Sequence, residues 1–384
     1  MDVAARPSDI DIIIVHYHAA ALVGEALAAL KHDAGRSGLS IHVFVADNGS
    51  TDEERALLQS LDLTYLKTGR DAGYAGGINF AFPHTRADCI VIMNEDVMVL
   101  PGCLAALRRA LTGGAAVVGP EFYWDRDRVF VLPCTEERSR RNEFVKAAGR
   151  RSLRALQRAR DRWRAQARLH WRCTEPIAST AISGALLAFR RDTWAAVGPW
   201  DEGYHLYFDE NDWLFRIEGA GLPSLYVPDA KAIHLHNPKL AGDPDRAQWS
   251  SESFLRFGKR YYGETFVRRL FRLGNRTPAI PAWEPLPVNE DGATVEIQIP
   301  ETSAWPVWIE LTPSPLGYPA AATRITDAST RRWTLPALAG LPFLTGTLYL
   351  QVVDDAGREL GGYAFDRRNA LDEPRTVDEE CVTA

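Results

Sequence analysis

No stretch of this chain approaches the roughly 20 consecutive apolar residues that a helix needs to cross a bilayer. The N-terminus, Met1-Asp-Val-Ala-Ala-Arg-Pro7, lacks the charged-then-apolar layout of a secretory signal, so the expected location is the cytoplasm. Cysteine is scarce too. The five thiols (Cys89, Cys103, Cys134, Cys173, Cys381) are odd in number and show no paired metal-ligand spacing, which argues against a disulfide scaffold or zinc module and fits reduced thiols. The glycine-rich stretch 69–79 has no Gly-Lys-Ser/Thr and not the Gly-x-Gly-x-x-Gly spacing, so it is neither a phosphate loop nor a dinucleotide fingerprint. What the chain does have is bulk: 384 residues, 46% hydrophobic, are enough to bury a sizeable core in two domains.

The net charge of −6 conceals an asymmetry. Residues 138–172 carry thirteen Lys or Arg against Glu143 and Asp161, a local +11 that leaves −17 for the remainder. From Phe144 to Trp171 the segment is rich in helix formers and free of proline, with Leu153, Leu156, Trp163 and Leu169 as sparse apolar positions. A basic helix of this kind lies on an anionic membrane or holds an anionic acceptor; the plainer alternative is a solvated Arg-rich helix. Nucleic acid is not the expected partner, because basic residues for that purpose are spread over a folded face with aromatics between them.

Ile10-Asp-Ile-Ile-Ile-Val15 reads as a strand buried on both faces. A helical pattern follows over 21–32, then the strand Ile41-His-Val-Phe-Val-Ala46, which ends in Asp47-Asn-Gly-Ser-Thr-Asp52, where Ser50 or Thr51 can cap a helix. After a short strand over 63–66 comes the glycine stretch, whose Gly73, Gly76 and Gly77 either admit a ligand close to the backbone or tighten a turn. A fourth strand, Ile90-Val-Ile-Met-Asn-Glu-Asp-Val-Met-Val-Leu100, is interrupted by Asn94, Glu95 and Asp96. Carboxylates inside apolar sequence are costly unless paired, and a hard divalent cation such as Mg²⁺ or Mn²⁺ is their natural partner. Alternating strands and helices imply a mainly parallel sheet that binds ligands beyond the carboxyl ends of its strands.

A second polar block starts at Ser183-Gly184, runs through Trp200-Asp-Glu202 and culminates in Asp209, Glu210 and Asp212 at a helix start. Acids in a first turn suit the helix dipole, which accounts for one or two of them. His234 and His236 share one side of an extended segment, to ligate a metal or to finish the sheet. Residues 246–271 look helical, 276–291 form a Pro-rich linker, and 292–370 alternate like a small antiparallel β-sandwich. The resulting division is 1–275 for an α/β domain with the basic insertion at 138–172, then linker and β module, with an acidic tail over 371–384 expected to be disordered.

In their order these features resemble the family 2 inverting glycosyltransferases of the GT-A fold, in particular the rhamnosyltransferase-like branch, over about residues 9–262. The resemblance implies a metal-dependent transferase moving a sugar from a nucleotide-diphosphate donor, dTDP-rhamnose first, to a glycan or lipid-linked glycan. It places Asp47, Asp71, Gly73, Gly76, Asn79, Asn94, Glu95, Ser183 and Gly184 around the donor, and Asp96 with His234 at the metal. Trp200, Asp201 and Asp212 fall near the acceptor, and Glu210 or Asp209 is the general base. Two departures stand out: Asn94 replaces the first acid of the Asp-x-Asp pattern, and the usual Glu-Asp pair appears as Asp209-Glu210.

UDP-galactofuranose, UDP-hexose and GDP-mannose are the alternative donors. A nucleotidyltransferase is a rival class, although it would carry an Arg/Lys-bearing glycine loop close to the N-terminus, where this chain has His16-Tyr-His-Ala. A degenerate transferase that only binds glycan is the non-enzymatic rival. Peripheral contact with the inner face of an anionic membrane, and self-association through the β module, are further expectations.

Overall fold

The computed structural model describes residues 8–236, 245–274, 278–286, 295–335 and 346–367. The tail over 371–384 and parts of the Pro-rich segment lie outside the described residues. The chain forms two compact units, Met1–Trp124 with Val131–Ala279, and Asp125–Phe130 with Ile280–Ala384.

The first unit is built on β1 (Ile10–His16) and β2 (Ile41–Asp47). Side chains alternate along β1: Ile10, Ile12 and Ile14 enter one core with Val23, Leu27 and Leu30 of α1 (Ala20–Ser37), while Ile13 and Val15 enter another with Ile78, Trp200 and Trp213. Each fully buried Ile contributes about 2 kcal/mol by area removed from water, so this strand anchors both layers. The sheet continues with β3 (Thr64–Lys67) and β4 (Cys89–Asn94), all four strands parallel in the order β3-β2-β1-β4. Beyond β4 it becomes mixed: β8 (Leu186–Arg190) runs antiparallel to β4 and to β6 (Val117–Tyr123), and β9 (Ser224–His234) is parallel to β6 and antiparallel to the short β7 (Ile177–Ala178). "Mainly parallel" thus describes the first half of the sheet.

Three expectations about single elements change. The run 90–100 is two strands: at Asn94 the chain leaves the sheet centre, turns through Glu95 and Asp96, and re-enters at the far edge as β5 (Val97–Val99), where Val97 pairs with His234. The polar triple supplies the turn. The basic segment is two helices, α5 (Arg140–Gly149) and α6 (Leu153–Arg172), because Ser152 caps a new helix by accepting from Ala155 N. The 246–271 segment likewise divides into Arg246–Tyr261 and Glu264–Gly274 around Gly263 at φ +87°, a left-handed stop.

The intervening helices are α2 (Asp52–Ser60), α3 (Gly73–Ala81), α4 (Cys103–Thr112), α7 (Arg191–Val197) and α8 (Asp209–Gly219), so the two late helices are α9 and α10. The cap of α2 is Thr51, in a capping box with Glu54.

The second unit is all-β among its described residues. It has a five-stranded sheet around Val307–Thr312 and Gly346–Val353, plus the antiparallel pair Val295–Gln298 and Arg332–Leu335.

Candidate active site

At the carboxyl ends of β1 and β4 a cleft of about 610 Å³ opens, lined among others by Asp71, Gly73, Asn94, Glu95, Asp96, Ser183, Gly184, Asp209, Glu210 and His234. Segments more than a hundred residues apart in sequence thus converge where an α/β sheet binds its ligand.

The break after β4 brings Asp96 to His234, with Asp96 Oδ1 3.5 Å from His234 Nε2 and Leu235 N donating to Asp96 O at 3.1 Å. His236 stacks beside His234 at 4.0 Å between ring centroids. Its pKa is held well below the ordinary histidine value by desolvation and by His234. An unprotonated imidazole is the form that ligates a metal. Among the described residues no set of three or more His, Cys, Asp or Glu is arranged as a complete metal cage. Asp96 and His234 form a partial oxygen and nitrogen donor set at the cleft wall, the kind that holds Mg²⁺ or Mn²⁺ when substrate phosphates complete the coordination. The residues present fit that ion.

Also in the cleft lining, α8 begins at Asp209, immediately after Tyr207 and Phe208, both at φ +65°. Two consecutive non-glycine residues in the left-handed region store strain, and they aim the first turn of α8 at the cleft. Asp209 is 2% exposed, whereas Glu210 is only partly covered. Burial, reinforced by the neighbouring Glu210 carboxylate, pushes the Asp209 pKa well above the carboxylate range. Tyr74, from the glycine stretch, is half-buried near the acids, and desolvation together with Asp209, Glu95, Glu210 and Asp96 raises its pKa. Its hydroxyl donates to Gly184 O at 2.8 Å.

Other expected site residues stand outside the cleft lining. Asp47 is 1% exposed, and its carboxylate is taken up by Ser50 N at 3.0 Å, Ser50 Oγ at 2.6 Å, His16 Nδ1 at 3.2 Å and Tyr65 OH at 2.5 Å. Burial alone would raise its pKa; these donors outweigh it and hold the carboxyl far below the usual range. Asp47 shapes the turn, and its neighbour Asn48 lines the cleft, with Asn48 Nδ2 donating to Gly73 O at 2.9 Å.

Gly73 lines the cleft at φ +68°, where a Cβ would meet His205 O at 2.6 Å. Gly76 does not, since a Cβ there would meet the Ala72 methyl at 2.8 Å inside the fold. Asp71 holds the loop by accepting from Gly73 N at 2.9 Å and pairing with His205 Nε2 at 3.2 Å.

Asn79 and the three residues expected at the acceptor also bond within the protein, Asp201 at the surface and the others further in. Asn79 donates to Trp200 O at 2.9 Å and accepts from Trp200 N at 3.0 Å; Trp200 itself stacks on Trp213 in the core. Asp201 pairs with Arg256 at 2.8 Å and Arg260 at 3.2 Å. Asp212 is fully buried, accepting from Tyr261 OH at 2.8 Å and pairing with Arg216 at 3.0 Å and Arg260 at 2.9 Å. These side chains clamp the wall behind the cleft.

Sequence reasoning missed Arg138, His205, Arg246 and Trp249, which all line the cleft. Arg138 donates to Asn211 Oδ1 at 2.9 Å, pairs with Glu143 at 3.1 Å and lies over the Phe208 ring at 4.5 Å. It is the first of the thirteen cations, and nothing in a charge run distinguishes its first member.

Residues 11–162 match the glycosyl transferase family 2 profile. The N-acetylglucosaminyl-diphospho-decaprenol L-rhamnosyltransferase of Mycobacterium tuberculosis, in two strains, is 28% identical over 224 residues, covering 53% of this chain and 69% of the relative. A mannosyltransferase from Pyrobaculum calidifontis, solved with GDP-Man and Mn²⁺, overlays with a TM-score of 0.40 at 18% identity, covering 73% of this chain and 79% of the other. That overlay is too loose to transfer a residue or a ligand. In its sequence match over residues 11–162 and its mixed α/β sheet with an acid-lined cleft, this chain is similar to the family 2 glycosyltransferases and resembles the rhamnosyltransferases.

Proposed function

We propose that the enzyme transfers L-rhamnose from dTDP-rhamnose, with inversion, to a hydroxyl of a glycan carried on a polyprenyl diphosphate in cell-surface polysaccharide biosynthesis. The mycobacterial relative, named for rhamnosyl transfer to an N-acetylglucosaminyl-diphospho lipid, supports the choice of donor and acceptor. The observation that carries the chemistry is the asymmetry of Asp209 and Glu210, both in the cleft lining: one carboxyl is buried with a raised pKa, the other is only partly covered.

In this reading Glu210 takes the proton of the acceptor hydroxyl as its oxygen attacks the anomeric carbon. The bond from that carbon to the diphosphate oxygen breaks on the opposite face, and the nucleoside diphosphate leaves with the electron pair. Asp209 keeps its proton, so the pair presents one charged carboxylate rather than two. Asp96 and His234 would hold Mg²⁺ or Mn²⁺, which when bound neutralises charge on the diphosphate. Asp71, Gly73, Asn94, Glu95, Ser183 and Gly184 shape the donor side of the cleft.

Donor hydrolysis with a panel of dTDP-rhamnose, UDP-galactofuranose, UDP-hexoses and GDP-mannose tests the proposal. Turnover of dTDP-rhamnose is expected. Selective turnover of another sugar nucleotide would replace the donor, and inertness toward all of them, with or without acceptor, would overturn the reading.

A further inference from the structure

The basic segment faces two ways. Along α6 the helical period turns Leu156, Ala159, Arg160, Trp163, Arg164, Ala167 and Arg168 inward, so three of its arginines are buried and unavailable to any surface. Leu153, one of the sparse apolar positions of the segment, is 54% exposed.

Outward cations lie at the start of α6, on α5 and on α10, with Arg158 and Arg172 further along α6. α5 packs against α6 and against α10. α5 and α10 run side by side in the same direction. At their first turns Arg140 lies over the Phe266 ring at 4.9 Å, and at their ends a Cβ on Gly274 would lie 4.0 Å from Arg150 Cδ. α10 is fixed from behind by Val267 and Leu270, which are buried, so its outer side is Arg268, Arg269, Phe271 and Arg272. The outer side of α5 is Arg140, Arg141 and Phe144. Arg151 and Arg154 flank Leu153 at the start of α6.

Two properties of this face point to one kind of partner. Among the described residues Arg141, Arg151, Arg154, Arg268, Arg269 and Arg272 form no ion pair, whereas Arg216, Arg256 and Arg260 elsewhere are all paired with aspartates. Set among these cations are Phe144 at 49%, Leu153 at 54% and Phe271 at 43% exposure. Unpaired guanidinium groups attract an anionic surface, and bare apolar side chains between them gain free energy only if that surface has an apolar interior. A polyanion such as RNA or a glycan phosphate would satisfy the charges and leave Leu153 in water.

We propose that the outer face of α5, α10 and the start of α6 docks on an anionic lipid bilayer, with Phe144, Leu153 and Phe271 entering the headgroup region and the arginines on lipid phosphates. The α5 helix ties this face to the cleft, because its buried Glu143 pairs with the cleft residue Arg138 at 3.1 Å. A docked enzyme therefore holds its cleft beside the surface from which a lipid-linked acceptor would be reached. The docking does not depend on the sugar chemistry, and its test uses neither donor nor acceptor.

The full-length chain is floated with vesicles of neutral phosphatidylcholine, and of phosphatidylcholine with 30 mol% phosphatidylglycerol as the anionic probe. Each cation near an anionic leaflet is worth about fivefold in affinity, so R141Q/R268Q/R269Q/R272Q should lose on the order of a hundredfold or more. F144S/L153S/F271S should weaken vesicle binding at least tenfold while leaving retention on heparin unchanged. Thermal melting confirms that both variants fold. Binding to anionic but not neutral vesicles, lost in both variants, supports the proposal. No vesicle binding by the parent protein overturns it, as does binding that ignores the apolar substitutions, which would mark a polyanion surface instead.

Discussion

Gly184 and Glu210 are in direct contact: a Cβ placed on Gly184 would lie 2.8 Å from the Glu210 Cβ and 3.0 Å from its Cγ. No real Cβ pair sits that close, so the absence of a side chain at 184 is what lets Glu210 stand where it does. Gly184→Ala should leave the fold intact and displace the base by a fraction of an ångström. Misplacement on the scale of 1 Å costs on the order of a hundredfold. A smaller fall in kcat, about tenfold, with little change in donor KM is expected from steady-state transfer assays; an unchanged kcat would remove Glu210 from the chemistry.

The raised pKa of Asp209 has a signed consequence for stability. Its carboxyl binds a proton more tightly folded than unfolded, so folding is favoured by acid. Nothing is lost below the ordinary aspartate value of about 4, and stability declines as pH climbs from there through the raised native value. Asp209→Asn removes the ionisation. The melting temperature of the variant minus that of the parent should therefore increase from pH 4 to pH 8, and a flat difference would mean that Asp209 is ionised in the native state.

Asp212 distinguishes a clamp from a ligand contact. Buried and held by Tyr261, Arg216 and Arg260, it should cost about 3–5 kcal/mol of stability when replaced by Ala, the usual penalty for breaking a buried ion pair from one side. Urea titration reads this. Loss of acceptor affinity at unchanged stability would instead restore the expectation that Asp212 touches the acceptor.

Metal dependence is read most simply by binding rather than turnover. Mn²⁺ titrated into the nucleoside-diphosphate complex should bind the parent, and Asp96→Asn or His234→Ala should each weaken that binding at least tenfold. Equal affinity in all three proteins would place the ion elsewhere.

Much of this architecture is legible in the amino-acid sequence because it is local. The β-branched run of β1, the turn after β2 and the acid pairs at 95–96 and 209–210 each announce a strand, a cap or a site within a few residues. The destination of a side chain is not local. Asn79 and Trp200 clasp each other across 121 residues, so the contacts of a polar residue in a family landmark are set by a distant partner. The split of the run 90–100 was hidden for the same reason. Its two halves are equally apolar, and only the pairing of Val97 with His234 separates them. Arginine periodicity in α6 was obscured because arginine reads as surface until its face is shown to be buried.

The most direct measurement is single-turnover transfer by Glu210→Gln and Asp209→Asn, compared with the parent enzyme under saturating donor and acceptor. Loss of the general base should slow Glu210→Gln by about 10²–10⁴-fold with nucleotide affinity unchanged, while Asp209→Asn stays within about tenfold of the parent, as expected for a carboxyl whose burial favours its neutral form. Full transfer by Glu210→Gln, or the reverse order of the two variants, would contradict the assignment of Glu210 as the base.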